Sequence, residues 1–156
     1  MSEASRIVDV GGKGVTEREA TAEAVITMTA EARAQLVAGT PKGNPLEAAR
    51  VAGVMAVKRT PDLLPFCHPI AVTGAEVTCS VDEGCEGVTG RIVVRATVRA
   101  SDRTGVEMEA LTAAAVGALC LYDTAKPYDR TARIDGVRLL EKKGGKSGHF
   151  TADPTS

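Results

Sequence analysis

Polar and apolar residues alternate from residue 20 to 28. Ala20, Ala22, Ala24, Ile26 and Met28 fall on one side and Thr21, Glu23 and Thr27 on the other, which predicts a strand. Thr29 then stands as an N-cap before a short helix through Val37, which Gly39 stops. Pro41, Lys42, Gly43 and Asn44 read as a turn. Pro45, at a first helical position, opens a helix to about Arg59, with Leu46, Ala49, Val51, Ala52, Met55 and Ala56 at helical spacing. Pro61 and Pro65 are expected to break the chain ahead of Phe66, Cys67, His68 and Pro69.

Two more alternating runs follow. Ala75, Val77, Cys79 and Val81 interleave with Glu76, Thr78, Ser80 and Asp82; Ile92, Val94, Ala96 and Val98 interleave with Arg91, Arg95, Thr97 and Arg99. A loop holding Gly84, Gly87 and Gly90 joins them, as in an antiparallel hairpin. Val106 to about Ala125 reads as a helix, apolar almost all round from Ala110 to Leu121 and ended by Pro127. A helix with no polar face is buried in a core or against another subunit. A last strand, about 134 to 140, leads into Lys142, Lys143, Gly144, Gly145, Lys146, Ser147 and Gly148. The expected fold is α+β around one antiparallel sheet. Residues 1–156 form one domain in this reading, with a core at about 7–150 and a flexible tail at 151–156.

Composition narrows the chemistry. With two Phe, two Tyr and no Trp, the core has to be built from Ala, Val, Leu and Ile. A net charge of −1 supplies no field toward DNA or an anionic membrane, and stacking platforms for single strands are scarce. Neither nucleic acid nor membrane is therefore an expected partner. Cys67, Cys79, Cys85 and Cys120 contain no C-x-x-C pair, so no metal site is expected. The N-terminus lacks the apolar core of a secretory signal, and the longest apolar run falls far short of the ~20 residues that span a bilayer. A reduced cytoplasmic protein is the natural expectation.

Asp123 and Lys126 lie three apart near a helix end, so their side chains can share a face. Carboxylate beside ammonium suits acid–base work, and the same spacing also suits a routine surface ion pair. Glu109 precedes Asp123 by fourteen residues, nearly four turns, which puts both carboxylates on one face about 21 Å apart. If both serve one site, that site is shared between subunits. His68 sits in a proline-stiffened turn, open to proton transfer, to hydrogen bonding or to plain solvation. The Gly144 to Gly148 stretch is no P-loop: six residues before Lys146 stands Leu140 where a glycine is needed. Its glycines can still expose N–H groups to an anion beside Lys146, or simply be mobile.

Taken together, Val8-Asp9-Val10, Thr16-Glu17-Arg18-Glu19-Ala20, KGNPLEAARVAGVMAVKRTPDLLPFCHP, GVEMEALTAAAVGALCLYDTAK and VRLLEKKGGKSG resemble the cyclic pyranopterin monophosphate synthase family, the molybdenum cofactor biosynthesis protein C family. The resemblance spans about residues 7 to 150. It implies a ferredoxin-like subunit in a homo-oligomer, a hexamer built as a trimer of dimers. It implies rearrangement of a cyclised 7,8-dihydroguanosine triphosphate, supplied by a radical enzyme, to cyclic pyranopterin monophosphate with release of pyrophosphate and no cofactor. By motif, Asp123 and Lys126 look catalytic. Phe66, Cys67, His68, Met108 and Glu109 look like substrate contacts, Lys42 and Lys142 like further active-site lysines, Lys13 and Arg18 like groups reaching in from a neighbouring subunit, and Lys146 like a phosphate contact. A non-catalytic binding module for a phosphorylated pterin precursor is the alternative. The chain departs from the family pattern at Phe66, at Gly11-Gly12 (expected to loosen the approach to Lys13), at Asn44, and at Asp135-Gly136 in the turn before the last strand.

Overall fold

The computed structural model describes residues 4–82 and 89–154. Along the chain come β1 (Thr16–Thr29), α1 (Ala30–Ala38), α2 (Pro45–Leu63), β2 (Val72–Asp82), β3 (Thr89–Asp102), α3 (Glu107–Ala125), β4 (Arg133–Lys143) and β5 (Phe150–Thr151). The strands form one sheet in the order β2-β3-β1-β4-β5, every pair antiparallel. Without β5, that is the strand order of a ferredoxin-like α+β fold, with a helical crossover between β1 and β2 and another between β3 and β4. Gly84, Gly87 and Cys85 of the expected hairpin loop lie outside the described residues.

The alternation seen in the sequence sets the sheet's two faces. In the β1–β3 register Ala20 meets Val98, Ala22 meets Ala96, Ala24 meets Val94 and Ile26 meets Ile92, all buried. The opposite face is polar: Glu19 takes Arg99 at 2.7 Å and Lys143 at 3.3 Å, and Glu23 takes Arg95 at 3.1 Å and Arg138 at 3.2 Å. These pairs set exposed or half-exposed bases on more buried acids, and they give the face that no helix covers its polar character.

Local signals place the helix starts. The Thr29 hydroxyl accepts from the Ala32 N–H at 3.2 Å, and α1 stops at Gly39, whose φ is +97°. Asn44 caps α2, its Oδ1 accepting from the Leu46 and Glu47 N–H groups at 3.0 and 3.2 Å, with Pro45 in the first turn. Asn44 thus keeps the capping role that an acid at this position would also fill. The α2 helix passes its expected end and carries Pro61 within it. A proline forfeits one backbone bond, but Val57 and Thr60 on the same turns are buried, and the Thr60 hydroxyl donates to the Ala56 carbonyl at 2.9 Å. Burial holds the last turn where propensity alone would end it.

The α2 and α3 helices approach closely at two glycines. A Cβ on Gly53 would lie 3.1 Å from the Ala113 carbonyl oxygen, and one on Gly117 would lie 3.3 Å from the Ala49 carbonyl oxygen and 2.8 Å from a Val94 methyl. The small residues Ala49, Gly53, Ala113 and Gly117 are thus what lets both helices lie on the sheet without a gap.

Three expectations need correcting near the C-terminus. Lys142 and Lys143 belong to β4, not to the loop after it. Asp135 and Gly136 lie inside β4, where the register with β1 shifts between Glu23 and Val25 and Gly136 takes φ +61°, so they form an irregularity in the strand and not a turn before it. Thr151, expected in the tail, pairs with Glu141 in β5, and the Ala152 N–H donates to the Leu140 carbonyl at 2.8 Å.

Gly117→Val should lower stability by about 1–3 kcal/mol, because the added atoms overpack the contact with Val94 and Ala49. Chemical denaturation measures this; an unchanged midpoint would mean that the helix contact has slack.

Candidate active site

At the C-terminal end of α3, Asp123 receives two ammonium groups. Lys126 Nζ lies 2.7 Å from Oδ1 and Lys42 Nζ 3.4 Å from Oδ2. These hydrogen bonds, Lys126 first and then Lys42, hold the Asp123 carboxyl below the usual carboxylate range and so keep it ionised. Lys42 is presented by a tight turn in which Thr40 and Gly43 exchange backbone bonds of 3.0 and 2.9 Å, with Gly43 at φ +110°. The chain just beyond Lys126 is anchored by Asp129, which accepts from the Thr29 N–H at 2.8 Å and from the Thr131 hydroxyl at 2.6 Å. The Lys126 side chain is 52% exposed, so any desolvation of it has to come from outside this chain.

The N-terminal end of α3 is chemically different. A cleft of about 410 Å³ opens between the segment containing Phe66, Cys67 and His68 and the start of α3 at Gly105, Glu107 and Met108. Glu109 lies beneath that segment, 1% exposed; its Oε1 accepts from the Cys67 thiol at 3.7 Å, and its Oε2 has no partner among the described residues. Burial raises the Glu109 pKa, with smaller contributions from the charges of Glu107 and Asp102. The Cys67 thiol is pushed up to about 11 by burial and then by Glu109. This end therefore holds a thiol that stays protonated at neutral pH and a carboxyl biased toward its neutral form.

Two cations bond to residues in or next to the cleft wall. Lys142 Nζ lies 3.5 Å from Glu107 Oε1 and also bonds the Ser147 hydroxyl. Arg18 reaches across from β1 and donates to the Arg103 carbonyl at 3.3 Å. Its buried Nε has no acceptor among the described residues, and a buried donor left unpaired generally costs about 1–3 kcal/mol. Arg18 forms no ion pair within 4 Å among the described residues, though its charge helps to keep the Asp102 pKa low.

The expected residues thus gather at two places. Asp123, Lys126 and Lys42 meet at one end of α3; Phe66, Cys67, His68, Met108, Glu109, Lys142 and Arg18 meet at the other, about 21 Å away by helical rise. Lys13 and Lys146 are exposed, and their ammonium groups join neither set. Lys13 follows a turn in which Asp9 Oδ1 accepts from the Gly11 N–H at 2.8 Å and the Val10 carbonyl accepts from the Lys13 N–H at 3.0 Å. Gly11-Gly12 therefore belongs to a bonded turn where a loosened one was expected. Glu107 and Ser147 were missed. An acid in a first helical turn has an ordinary explanation in the helix dipole, and only folding brings Lys142 to it. Between the two ends, the outer surface of α2 and α3 exposes Val51, Met55 (58%) and Leu119 (57%).

Among the described residues, no three His, Cys, Asp or Glu side chains gather as a metal site, and no helix is long and apolar enough to cross a membrane. The sequence matches the model of the MoaC family over residues 7–145. It is 51% identical over 151 residues to the cyclic pyranopterin monophosphate synthase of Parvibaculum lavamentivorans, covering 96% of this chain and 91% of that protein. It is 47% identical to the synthase of the same name from a Roseiflexus species, covering 96% and 92%, and 50% identical to that of Geobacter sulfurreducens, covering 91% and 87%.

The raised Glu109 pKa sets a pH dependence. In the unfolded chain this carboxyl ionises at its ordinary value, while the fold resists ionisation, so the fold loses stability as pH rises above the unfolded value toward the folded one. Glu109→Gln removes that loss. Its melting temperature relative to the native chain should therefore climb as pH rises above 4.5, the carboxyl's ordinary value; a constant difference would show that Glu109 is ionised without penalty.

Proposed function

The chain belongs to the MoaC family, and from that membership we propose that it converts a cyclised 7,8-dihydroguanosine triphosphate to cyclic pyranopterin monophosphate and pyrophosphate, in molybdenum cofactor biosynthesis. The observation that carries this reading is the pair of unlike clusters fixed at the two ends of α3. The reaction needs both kinds. Rearranging the ring moves protons between nitrogen, carbon and oxygen, which calls for groups that exchange protons within reach of the substrate. Closing the cyclic phosphate forms a bond from a substrate hydroxyl to the innermost phosphorus and breaks that phosphorus's bond to the next phosphate. The hydroxyl proton goes to a base, and pyrophosphate leaves with the extra charge, which cations stabilise.

In this reading Lys126 exchanges the proton and Asp123 orients it, with Lys42 sharing the carboxylate. Glu109 and the Cys67 thiol offer neutral hydrogen-bonding groups to the ring, beside His68, Phe66 and Met108. Lys142 and Arg18, joined by Lys13 and Lys146 when substrate is bound, take the phosphates. One chain cannot close such a site across about 21 Å of helix. Two copies in an antiparallel arrangement, the outer surfaces of α2 and α3 in contact, bring the Asp123 end of one to the Glu109 end of the other and cover Val51, Met55 and Leu119. Each pair then makes two equivalent sites, and a hexamer, a trimer of dimers, makes six. The substrate comes from a radical enzyme acting one step earlier.

The direct test is incubation with the cyclised triphosphate and measurement of released pyrophosphate; no release removes the reading. Lys126→Ala should abolish turnover, a loss of at least about a hundredfold for a proton-transfer group, with the oligomer intact. Turnover near that of the native chain would exclude the acid–base role. Lys126→Ala and Lys142→Ala chains, unfolded together and reassembled, should recover about a quarter of native activity, because half the pairs are mixed and each mixed pair has one site free of substitutions. Activity no higher than the two parents would place the whole site within one chain.

A further inference from the structure

We propose that Gly145 is a positioning residue whose missing side chain seats the guanidinium of Arg18 for an anionic substrate group, an inference that rests on the reading of Arg18 as a substrate contact. A Cβ on Gly145 would lie 2.0 Å from Arg18 Nη1 and 2.6 Å from its Cζ, so the guanidinium occupies the space that any other residue would fill. Arg18 is on β1 opposite Ala100, and its other terminal nitrogen reaches the Arg103 carbonyl at 3.3 Å. The head group therefore lies between that carbonyl and the Gly145 backbone. Its Nε is buried with no acceptor among the described residues, which a purely structural role for Arg18 does not explain.

The neighbouring glycine does something else. A Cβ on Gly144 would come within 2.0 Å of the Glu17 carbonyl oxygen, which is backbone and cannot swing aside, whereas the atoms that meet Gly145 are the far end of a flexible side chain. Gly144 therefore serves the chain path from β4 over β1, and Gly145 serves Arg18. Both take positive φ, +90° and +80°, so backbone strain accompanies a substitution at either and has to be separated from displacement of the guanidinium. Gly136 supplies the control: φ is +61°, and a Cβ there would meet nothing within 4 Å.

Gly145→Ala, Arg18→Ala, the double variant and Gly136→Ala are compared with the native chain in two measurements. One is KM and kcat with the cyclised triphosphate; the other is calorimetric binding of inorganic tripolyphosphate. Gly145→Ala should raise KM and weaken tripolyphosphate binding by about tenfold or more, approaching Arg18→Ala, as expected for a lost charge-assisted contact. The double variant should lie within about twofold of Arg18→Ala, because a residue acting through Arg18 has nothing left to act on. Gly136→Ala should match the native chain in both. The inference is overturned if Gly145→Ala binds and turns over like the native chain, if the two single effects multiply in the double variant, or if Gly136→Ala reproduces the loss. The expected tripolyphosphate pattern in a chain that releases no pyrophosphate supports the seat while removing the proposed reaction, so the two fail separately.

Discussion

A helix cannot shorten, and the separation of the two candidate clusters follows from α3 being held rigid along its length. The hold comes from atoms that are absent. Gly53 and Gly117 let the backbones of α2 and α3 come within ordinary contact of each other's carbonyls, while Ala113, Ala114, Ala118 and Leu121 are buried in the core. With both helices seated, the groups at the two ends of α3 are fixed in separation, and neither end can bend toward the other. In the proposed pairing the apolar surface between them matters as much as the charges, since it is the surface that a second copy would cover.

The two ends differ in how they treat charge. Around Asp123 the chain keeps a carboxylate ionised in water with two ammonium groups. Around Glu109 it withdraws a carboxyl and a thiol from water and biases both toward their neutral forms. Bringing an exposed charged cluster against a buried neutral one changes the first more than the second, because its ammonium groups lose water on contact.

Much of the fold was legible in the sequence. Period-two alternation located three strands, Thr29 and Gly39 bounded α1, and Pro45 opened α2, because those signals are local and the structure uses them locally. What sequence missed depended on long-range burial. Pro61 stays helical because its neighbours face the core, and β4 runs on to Lys143 because β1 is there to pair with it. Motif resemblance named the candidate site residues, and spacing alone indicated that Glu109 and Asp123 stand too far apart for one bond. Their division into two sets was visible only in part, since the attachment of Lys42 to one end and of Lys142 and Arg18 to the other depends on topology. Glu107 went unremarked because its sequence position has a sufficient local cause.

The outer face of the sheet bears on how this sequence is able to drift. Glu19 is shared by Arg99 and Lys143, and Glu23 by Arg95 and Arg138, so each acid answers to bases on both neighbouring strands. Losing any one base leaves its acid partnered from the other side. A surface wired this way absorbs single replacements quietly, and divergence among descendants should accumulate at the arginines and lysines well before it reaches the two glutamates on the central strand.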